Sequence, residues 1–436
     1  MAQRSRGKVR YAQVGIGGRS FMYTNAIVGK HKRQCQLVAL CDINQGRMDL
    51  RNKWIAEQGG KPVATYIGGD FDRMIAQTRP DVVIVTTLDA MHSTYICRAM
   101  ELGCDAITEK PMTTDETKCR GIFETVRRTG RSCRVTFNYR YAPHRSQVKE
   151  ILDSGAIGRV LSVDFTWPLD TRHGADYFRR WHRHRGNSGS LLVHKATHHF
   201  DLVNWWLGDA PTEVFCHASR EFYTPANAAE QYGLTNRSHR CLDCAEKTRC
   251  RFYMDLPGSD ARQMYLDNEA EDGYFRDRCV FGPEIDIWDS MSVSVKYRRG
   301  AILNYFLLAY SPWEGYQIAF NGTKGRLEHG SRQYSYISGA DDSTPGQVQK
   351  TGTYITLHPH VGEPQSFEVR KGQGGHGGGD PLLLDDLFNP NPAPDPLGRK
   401  ADHRDGTRSI LVGVAAYHSI DSGRAISTAE LLGEEL

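Results

Sequence analysis

The chain has 436 residues, of which 39% are hydrophobic and 24% are charged, and its formal net charge is +4. This length predicts two domains, and the composition is typical of a globular protein. The small net charge does not favour nucleic-acid binding, and no apolar run predicts a signal peptide or a membrane span. We therefore expect a cytoplasmic protein with neither nucleic-acid nor membrane partners.

A dinucleotide-binding turn is predicted near the start of the chain. The strand-like run Val9 to Val14 is followed by a glycine-rich turn and then by a helical pattern. Glycines let the backbone approach a pyrophosphate, and the helix N-terminus supplies N–H donors and a positive dipole. An ordinary strand–turn–helix without a ligand is the alternative. The residues predicted to bind the cofactor here are Gly15, Gly17, Gly18, Arg19 and Ser20, with Ser20 replacing the third glycine of the pattern.

Asp42 ends the second predicted strand, Gln36 to Cys41. An acidic residue at this place is expected to accept hydrogen bonds from the adenosine ribose. A carboxylate also repels a 2′-phosphate, so the sequence favours NAD over NADP. Arg19 and Arg47 keep NADP open as an alternative.

Strands and helices alternate through residues 1–140, which predicts a Rossmann domain with a doubly wound parallel sheet. The rhythm then changes to alternating strands such as Leu161–Trp167, Ser292–Tyr297 and Ala301–Tyr310. We therefore predict an α/β protein whose second domain, residues 141–436, carries a large, mostly antiparallel open sheet. A polar, cysteine-rich insertion is predicted at about residues 225–285.

Several motifs occur in an order that resembles the Gfo/Idh/MocA oxidoreductases, a family that includes glucose–fructose oxidoreductase and inositol dehydrogenase. They are the glycine turn, Asp42, Thr86-Thr87 with His92, Glu109-Lys110-Pro111, Asn138-Tyr139-Arg140, Gly155-x-x-Gly158, His198-x-x-Asp201, Asn321–Arg326 and Asp405–Ser409. The resemblance implies NAD as cofactor, with Thr87, His92, Glu109 and Lys110 beside it. It also implies a homodimer or homotetramer, because the open sheet often serves as an oligomer interface in this family.

The resemblance further implies that Lys110 and His198 are catalytic. Oxidation of a sugar hydroxyl needs a proton acceptor, and histidine, with a pKa of about 6.5, suits that role at neutral pH. A lysine beside the hydroxyl oxygen stabilises developing negative charge. The family pattern has an aspartate four residues before the histidine, whereas this chain has His194. If the segment is helical, His194 and His198 share one face. The two histidines then divide the acid–base work, or His194 orients the substrate, or both bind a metal.

The segment from Arg172 to Lys195 is strongly basic, and Asp176 is its sole acid. Arginine forks suit carboxylate, phosphate or sulfonate groups, so an anionic sugar or glycoside is the predicted substrate. A solvated basic loop or an oligomer contact is the alternative. The predicted substrate-binding residues are Arg140, Tyr177, Arg180, Trp181, His182, Arg185, Lys195 and His199.

The cysteines of the insertion have the spacing Cys241-x-x-Cys244-x5-Cys250, which is typical of a zinc knuckle. Cys279 is the predicted fourth ligand, with His239 or Cys216 as alternatives. A structural zinc site of this kind has no catalytic role. Free or disulfide-bonded thiols and an iron–sulfur cluster are the other interpretations.

Three functions are compatible with these residues. The first is an NAD-dependent oxidoreductase that transfers hydride from a sugar or glycoside hydroxyl. The second is a redox-neutral glycosidase, as some relatives of the family are, which oxidises C3, eliminates the aglycone, adds water and reduces the ketone again. Its substrate would be an anionic glycoside such as a sulfoquinovoside or a glucuronide. The third is a non-catalytic NAD-binding sensor, which the presence of both Lys110 and His198 disfavours.

Overall fold

The computed structural model describes residues 7–335 and 352–433. In chain order the described strands are β1 (Val9–Val14), β2 (Cys35–Asp42), β3 (Ala64–Ile67), β4 (Val82–Val85), β5 (Asp105–Thr108), β6 (Cys133–Val135), β7 (Val160–Asp170), β8 (Pro211–Ser219), β9 (Ser290–Tyr297), β10 (Ile302–Ser311), β11 (Trp313–Gly322), β12 (Gly325–Ser335), β13 (Gly352–Pro359), β14 (Gln365–Ser366), β15 (Ala401–Asp402) and β16 (Ile426–Ser427).

The described α-helices lie between and after these strands. They are α1 (Phe21–Val28), α2 (Gln45–Glu57), α3 (Phe71–Thr78), α4 (His92–Glu101), α5 (Glu116–Thr129), α6 (Pro143–Asp153), α7 (Thr171–Arg179), α8 (Arg185–Ser188), α9 (Ser190–His194), α10 (Thr197–Leu207), α11 (Pro225–Tyr232), α12 (Arg262–Tyr265), α13 (Glu269–Asp272), α14 (Gly375–Phe388), α15 (His403–Ser422) and α16 (Thr428–Leu432).

The first sheet has the strand order β15-β6-β5-β4-β1-β2-β3. Strands β1 to β6 pair in parallel, and β15 adds antiparallel to β6. The central strands β1 and β4 are largely buried because helices cover both faces of the sheet. The chain order reverses between β1 and β4, and such a switch point opens a crevice at the carboxyl ends of the strands.

The second sheet has the order β14-β13-β12-β11-β7-β10-β9-β8-β16. All its pairs are antiparallel except β7 with β10. Exposed and buried side chains alternate along β9 and β10, so one face packs on the core and the other faces outward. The predicted combination of a Rossmann sheet with a mostly antiparallel open sheet is confirmed.

Helix α15 packs between the two sheets and touches β8, α9, α10 and β6. It begins with a capping box in which Asp402 accepts from the backbone of the first turn and Asp405 reaches back to the Asp402 N–H. Its Gly413 lies directly against the backbone of α9, because an added Cβ would stand 2.4 Å from the Leu192 carbonyl oxygen. This contact determines where the end of α9 lies.

Residues 220–289 form an insertion between β8 and β9 that contains the short helices α11, α12 and α13. Most of its length is turn and irregular backbone, which agrees with its polar composition. Across residues 7–335 and 352–433, no helix has both the length and the apolar character needed to cross a bilayer.

Candidate active site

A cavity of about 830 Å³ opens at the carboxyl ends of β4 and β5. Its floor comes from the first sheet, with Thr86, Thr87, Glu109 and Lys110, and its walls come from the segment between β7 and β8 and from β11. The cavity therefore lies at the place where open parallel sheets bind their ligands.

The glycine turn adjoins this cavity. Gly15 has φ +84°, and an added Cβ would stand 2.6 Å from the backbone of Thr86 and Thr87, so the turn excludes a side chain there. Nothing lies within 4 Å of a Cβ built on Gly17, which leaves the turn open to a ligand. Ser20, in place of the third glycine, donates its hydroxyl to the Gly17 carbonyl at 2.6 Å and closes the turn.

Asp42 lies at the end of β2, as the sequence predicts, and its carboxylate holds the glycine turn. It accepts from the backbone N–H of Ile16 and, at 2.9 Å, from that of Asn44. Burial raises the pKa of Asp42 above its usual value. Ile43 and Ile67, which follow at the ends of β2 and β3, are 60% and 44% exposed. These two side chains offer an apolar face beside the carboxylate, which suits an adenine ring.

Arg51 supplies positive charge at the glycine turn. Its guanidinium is buried, donates to the Thr24 hydroxyl at 2.7 Å and the Ser20 hydroxyl at 3.1 Å, and forms no ion pair with any described carboxylate. Burial lowers its pKa to about 10. A buried cation without an anionic partner fits a diphosphate. The residues present therefore fit NAD.

Glu109 and His92 connect the turn with the ends of the central strands. Glu109 accepts from Arg19 Nε at 2.6 Å and from the Tyr23 hydroxyl at 2.7 Å. His92 lies with Nδ1 2.8 Å from the Pro111 carbonyl and Nε2 3.2 Å from the Thr87 carbonyl. Both predicted cofactor residues thus hold the segments that border the cavity.

Lys110, His194 and Asp89 form a connected group in the cavity. Lys110 Nζ lies 3.1 Å from the carbonyl oxygen of His194 and 3.5 Å from its Nε2. His194 Nδ1 lies 2.5 Å from an oxygen of Asp89. Burial lowers the pKa of Lys110 to about 8, and burial together with Lys110 lowers that of His194 well below its usual value. Burial raises the pKa of Asp89 well above its usual value, an effect that Lys110 opposes. When Asp89 is ionised, the neutral His194 ring donates through Nδ1 and presents the Nε2 lone pair to Lys110.

His198 lies beside this group but on a different helix from His194. His194 ends α9, whereas His198 is the second residue of α10, so the expected shared helical face does not form. The His198 ring stacks on Tyr139 with centroids 3.9 Å apart, and its buried Nδ1 has no hydrogen-bond partner among the described residues. Burial lowers its pKa well below the usual value, which keeps the ring neutral.

A second polar group lines the same cavity, and the sequence predicted only its Tyr177. His173 Nδ1 is 2.8 Å from Glu314, and its Nε2 is 3.0 Å from the Tyr177 hydroxyl. Glu314 is the second residue of β11, far from the basic segment in sequence, and no motif marked it. A third pair joins His376 Nδ1 to Asp380 at 2.8 Å, in the glycine-rich stretch that enters α14.

Two cations in the cavity form no ion pair with a described carboxylate, although Tyr139, Tyr177 and Glu314 outweigh burial and raise the pKa of one of them, Lys195. Arg145 is 2% exposed and lies 3.9 Å above the Tyr139 ring, with Nε and one terminal nitrogen unpaired in the described structure. Lys195 is also buried and contacts the Tyr139 hydroxyl at 3.3 Å. Arg145 was not among the predicted substrate residues, because it lies in an ordinary helical pattern outside the basic segment.

Three predicted substrate residues lie outside the cavity. Arg140 forms a buried ion pair with Asp201, at 2.6 and 2.9 Å, that joins the two domains' helices. His199 stacks on Trp167 and bonds to the Tyr305 hydroxyl at 2.6 Å within the core. Arg185 lies at the surface, 3.4 Å from Asp421. The predicted residues that do line the cavity are Tyr177, Arg180, Trp181, His182 and Lys195.

The arginine side chains of the basic segment are also less available to a ligand than its composition suggests. Arg180 pairs with Asp176 at 3.3 Å, and Arg183 pairs with Glu284 at 2.7 Å. Arg179 donates to the Phe252 carbonyl at 2.6 Å. The partners of these guanidinium groups are thus a carboxylate of the same segment, Asp176, and a carboxylate and a carbonyl that are distant in sequence.

The zinc prediction is not supported. Cys241, Cys244, Cys250 and Cys279 line one small cavity of about 20 Å³. In the described parts of the chain, however, no three His, Cys, Asp or Glu side chains converge as a metal site. Cys241 Sγ instead accepts from the Arg179 guanidinium at 3.1 Å, and burial raises the pKa of Cys250 to about 11. All four are free thiols.

Comparison with known proteins agrees with this architecture. Residues 9–137 match the model of the oxidoreductase family's NAD-binding Rossmann fold. Residues 149–428 match the model of the oxidoreductase family's C-terminal alpha/beta domain. Fold and site thus define an NAD-binding oxidoreductase with a Rossmann domain and a second α/β domain.

Individual relatives place the chain more narrowly. It is 37% identical over 430 residues to a Bacillus subtilis (strain 168) protein named as an oxidoreductase, YteT, covering 96% of this chain and 97% of that protein. A glycosyl hydrolase family 109 protein of Shewanella baltica (strain OS155 / ATCC BAA-1091) is 27% identical over 155 residues, 35% of this chain and 33% of that one. The WlbA dehydrogenase of Bordetella pertussis, solved with NADH and UDP-GlcNAcA, superposes with a TM-score of 0.63 at 17% identity, over 97% of this chain and 99% of that one. The chain belongs to the Gfo/Idh/MocA oxidoreductase family.

Proposed function

We propose that the protein oxidises a hydroxyl of an anionic sugar or glycoside, with NAD as hydride acceptor. The observation that carries this proposal is the group Lys110–His194–Asp89 at the end of β5, with Lys110 Nζ 3.5 Å from His194 Nε2. NAD, when bound, supplies the electrophilic carbon that takes the hydride. The chain's own residues then have to bind the sugar and move one proton.

Lys110 and the histidines handle that proton. The Lys110 ammonium donates to the substrate oxygen and stabilises the negative charge that develops as the O–H proton leaves. His198, neutral and with its ring held against Tyr139, accepts the proton. His194, fixed by Asp89, orients Lys110 and offers a second acceptor.

The anionic character of the substrate rests on Arg145 and Lys195. Arg145 is buried at the cavity without an ion pair to any described carboxylate, and a substrate carboxylate would supply one. Lys195 is also buried and forms no ion pair with a described carboxylate, although Glu314 contributes to its raised pKa. The His173–Glu314–Tyr177 group in the same cavity suits neutral sugar hydroxyls, because it combines donors with acceptors. The two groups together would orient one end of the ring.

Redox-neutral glycoside hydrolysis is the second candidate. It needs one base for the hydroxyl, a second for the proton beside the new ketone, and an acid for the departing aglycone. The cavity holds three separate histidine–carboxylate pairs, of His194, His173 and His376, in addition to His198. The partial similarity to a glycosyl hydrolase family 109 protein also supports this candidate.

The two candidates are distinguished with matched nitrophenyl glycosides. We would compare a glucuronide with the corresponding glucoside, with and without added NAD, and follow nitrophenol and NADH together. NADH formation without nitrophenol supports the dehydrogenase, whereas catalytic nitrophenol release without NADH supports the glycosidase. The glucuronide should be preferred, and Arg145→Met should remove that preference. Equal rates on both sugars would contradict the anionic substrate.

We also infer that the protein is a homo-oligomer that buries the outer face of the second sheet. Leu161, Ile302 and Phe306 are exposed on that face, at 38–44% of their full accessibility. Their polar neighbours Ser292 and Ser294 on β9 are small enough to allow close approach of a second sheet.

A further inference from the structure

The insertion between β8 and β9 reaches across to the glycine turn of the first domain. The part that does so is residues 262–274, which we call the clamp segment. Its Tyr265 hydroxyl lies 3.3 Å from the Gly18 backbone nitrogen, and Gly18 is separated from it by 247 positions in sequence. This N–H belongs to the turn whose backbone donors fit a dinucleotide diphosphate.

The clamp segment also holds the start of α2, beside Asp42. Asn44 Nδ2 donates to the Asn268 carbonyl at 2.8 Å, and the Gly46 N–H points at the Glu271 carboxylate at 3.2 Å. A Cβ on Gly46 would stand 1.8 Å from the Asn268 amide oxygen, so only glycine permits this contact. The segment is therefore packed on the first domain rather than merely near it.

Arg47 is the centre of the contact. Its guanidinium forms an ion pair with Asp272 at 2.7 Å, with both side chains less than a tenth exposed. It lies 5.5 Å from the Tyr265 ring and 5.7 Å from the Tyr274 ring, and its Nε donates to the Met264 carbonyl at 3.3 Å. Arg47 is thus neutralised by the insertion and is not free to bind a 2′-phosphate.

Ion pairs with other parts of the insertion and with α7 hold the clamp segment and its flanking residues in place. Arg240 bonds to Glu269 at 2.9 and 3.0 Å and to Asp277 at 2.9 Å, and Arg276 pairs with Asp176 of α7 at 2.6 Å. The segment is therefore connected to the cysteine-rich part of the insertion and to the wall of the substrate cavity. Because these contacts fix its position before any ligand arrives, the clamp segment is preorganised for binding.

We propose that the clamp segment is part of the cofactor site: Tyr265 binds the diphosphate, Asp272 excludes a 2′-phosphate, and the segment retains NAD between turnovers. The Tyr265 oxygen accepts from Gly18, so the hydroxyl hydrogen is available to a phosphate oxygen. Asp272 and Glu271 add negative charge beside Asp42, where a 2′-phosphate would lie. Release of NAD then requires the segment to move away from α2.

The proposal is tested by cofactor release without substrate, so that failure of the sugar chemistry does not affect it. The purified protein is loaded with NADH, excess NAD is added, and the loss of bound nicotinamide fluorescence gives the release rate. NAD per chain after gel filtration gives the retained fraction. Tyr265→Phe, which removes one hydroxyl, should accelerate release about tenfold, equivalent to one lost hydrogen bond to a charged group. Tyr265→Ala should accelerate it further.

Gln231→Ala, an exposed change in α11 of the same insertion but outside the clamp segment, is the matched control and should release NADH at the wild-type rate. Asp272→Asn should lower the preference for NAD over NADP about tenfold, because it frees Arg47 for a phosphate. Thermal melting shows that each variant is folded. Wild-type release rates in both Tyr265 variants, or rapid NADH exchange in the wild type itself, would overturn the proposal.

Discussion

The ring of His194 lies between a carboxylate and an ammonium group. Asp89 contacts Nδ1 at 2.5 Å, and Lys110 Nζ is 3.5 Å from Nε2. The carboxylate that the family pattern has four residues before His198 is therefore replaced by a pair: His194 at that position and Asp89 behind it. Asp89 acts through His194 and is a positioning residue.

Asp89→Asn should lower kcat about 100-fold, because the amide can donate to His194 Nδ1 and so favours the tautomer whose Nε2 carries the hydrogen. A loss of this size is typical of a disturbed acid–base group. Steady-state kinetics would check this, and KM for NAD should change little. Asp72→Asn, an exposed carboxylate paired with Arg98, is the control and should keep full activity. An Asp89→Asn protein with wild-type kcat would remove Asp89 from the site.

The pH dependence of activity follows from Lys110. Burial lowers its pKa to about 8, and the protonated form is the one that stabilises the substrate oxygen. The pKa values of His194 and His198 are lowered, so both rings are neutral at neutral pH. We therefore expect kcat/KM to be constant near neutral pH and to fall about tenfold per pH unit well above pH 8.

Lys110→Arg provides the test, since a guanidinium stays protonated throughout this range. Any residual activity of Lys110→Arg should lack the alkaline fall. Lys118→Arg, a partly exposed lysine on α5, should keep it. An unchanged alkaline limb in the Lys110→Arg profile would assign that limb to another group.

At the scale of elements, the packing of α15 against α9 positions His194, which we propose to be part of the catalytic group. Gly413 lets the backbones of α15 and α9 approach each other, and α9 ends at His194. The position of His194 in the proposed site therefore depends on a glycine in a helix that the sequence marks only as amphipathic.

Gly413→Ala should destabilise the protein by about 1–3 kcal/mol, the usual cost of overpacking, and lower kcat because α9 is displaced. Urea unfolding and steady-state kinetics measure the two effects. Gly121→Ala is the matched control, because Gly121 is also inside a helix, α5, but its Cβ would meet nothing within 4 Å. It should be neutral or stabilising by up to about 1 kcal/mol. Equal behaviour of the two variants would contradict this packing argument.

At the scale of the whole molecule, the second sheet leaves one face outward. Phe306 lies near the middle of β10 on that face and is 38% exposed. An exposed apolar strand face is commonly an interface between copies.

Phe306→Glu should convert the oligomer to monomers, measured by light scattering, because a buried unpaired carboxylate opposes association. Val361→Glu, at a position that is 93% exposed and outside the strands, should leave the oligomer intact. A monomeric wild type, or an oligomer unaffected by Phe306→Glu, would contradict the inferred interface.

Much of the fold could be predicted because its signals are local. The apolar runs of β1 and β4, the glycines between β1 and α1, and the alternation along β9 and β10 each depend on neighbouring residues. The position of Lys110 and the glycine turn at one edge of the sheet could also be predicted, because the carboxyl ends of parallel strands lie at the same edge.

The sequence by itself thus determined the two sheets, the dinucleotide turn and the position of Lys110. Only the tertiary structure decided which charges are free, because a charge's partner can lie anywhere in the chain. Arg183 is neutralised by Glu284, 101 positions away, whereas the less conspicuous Arg145 stays unpaired in the cavity. The Tyr265–Gly18 contact likewise spans 247 positions. Local patterns cannot encode such pairings, which arise only when distant segments pack together.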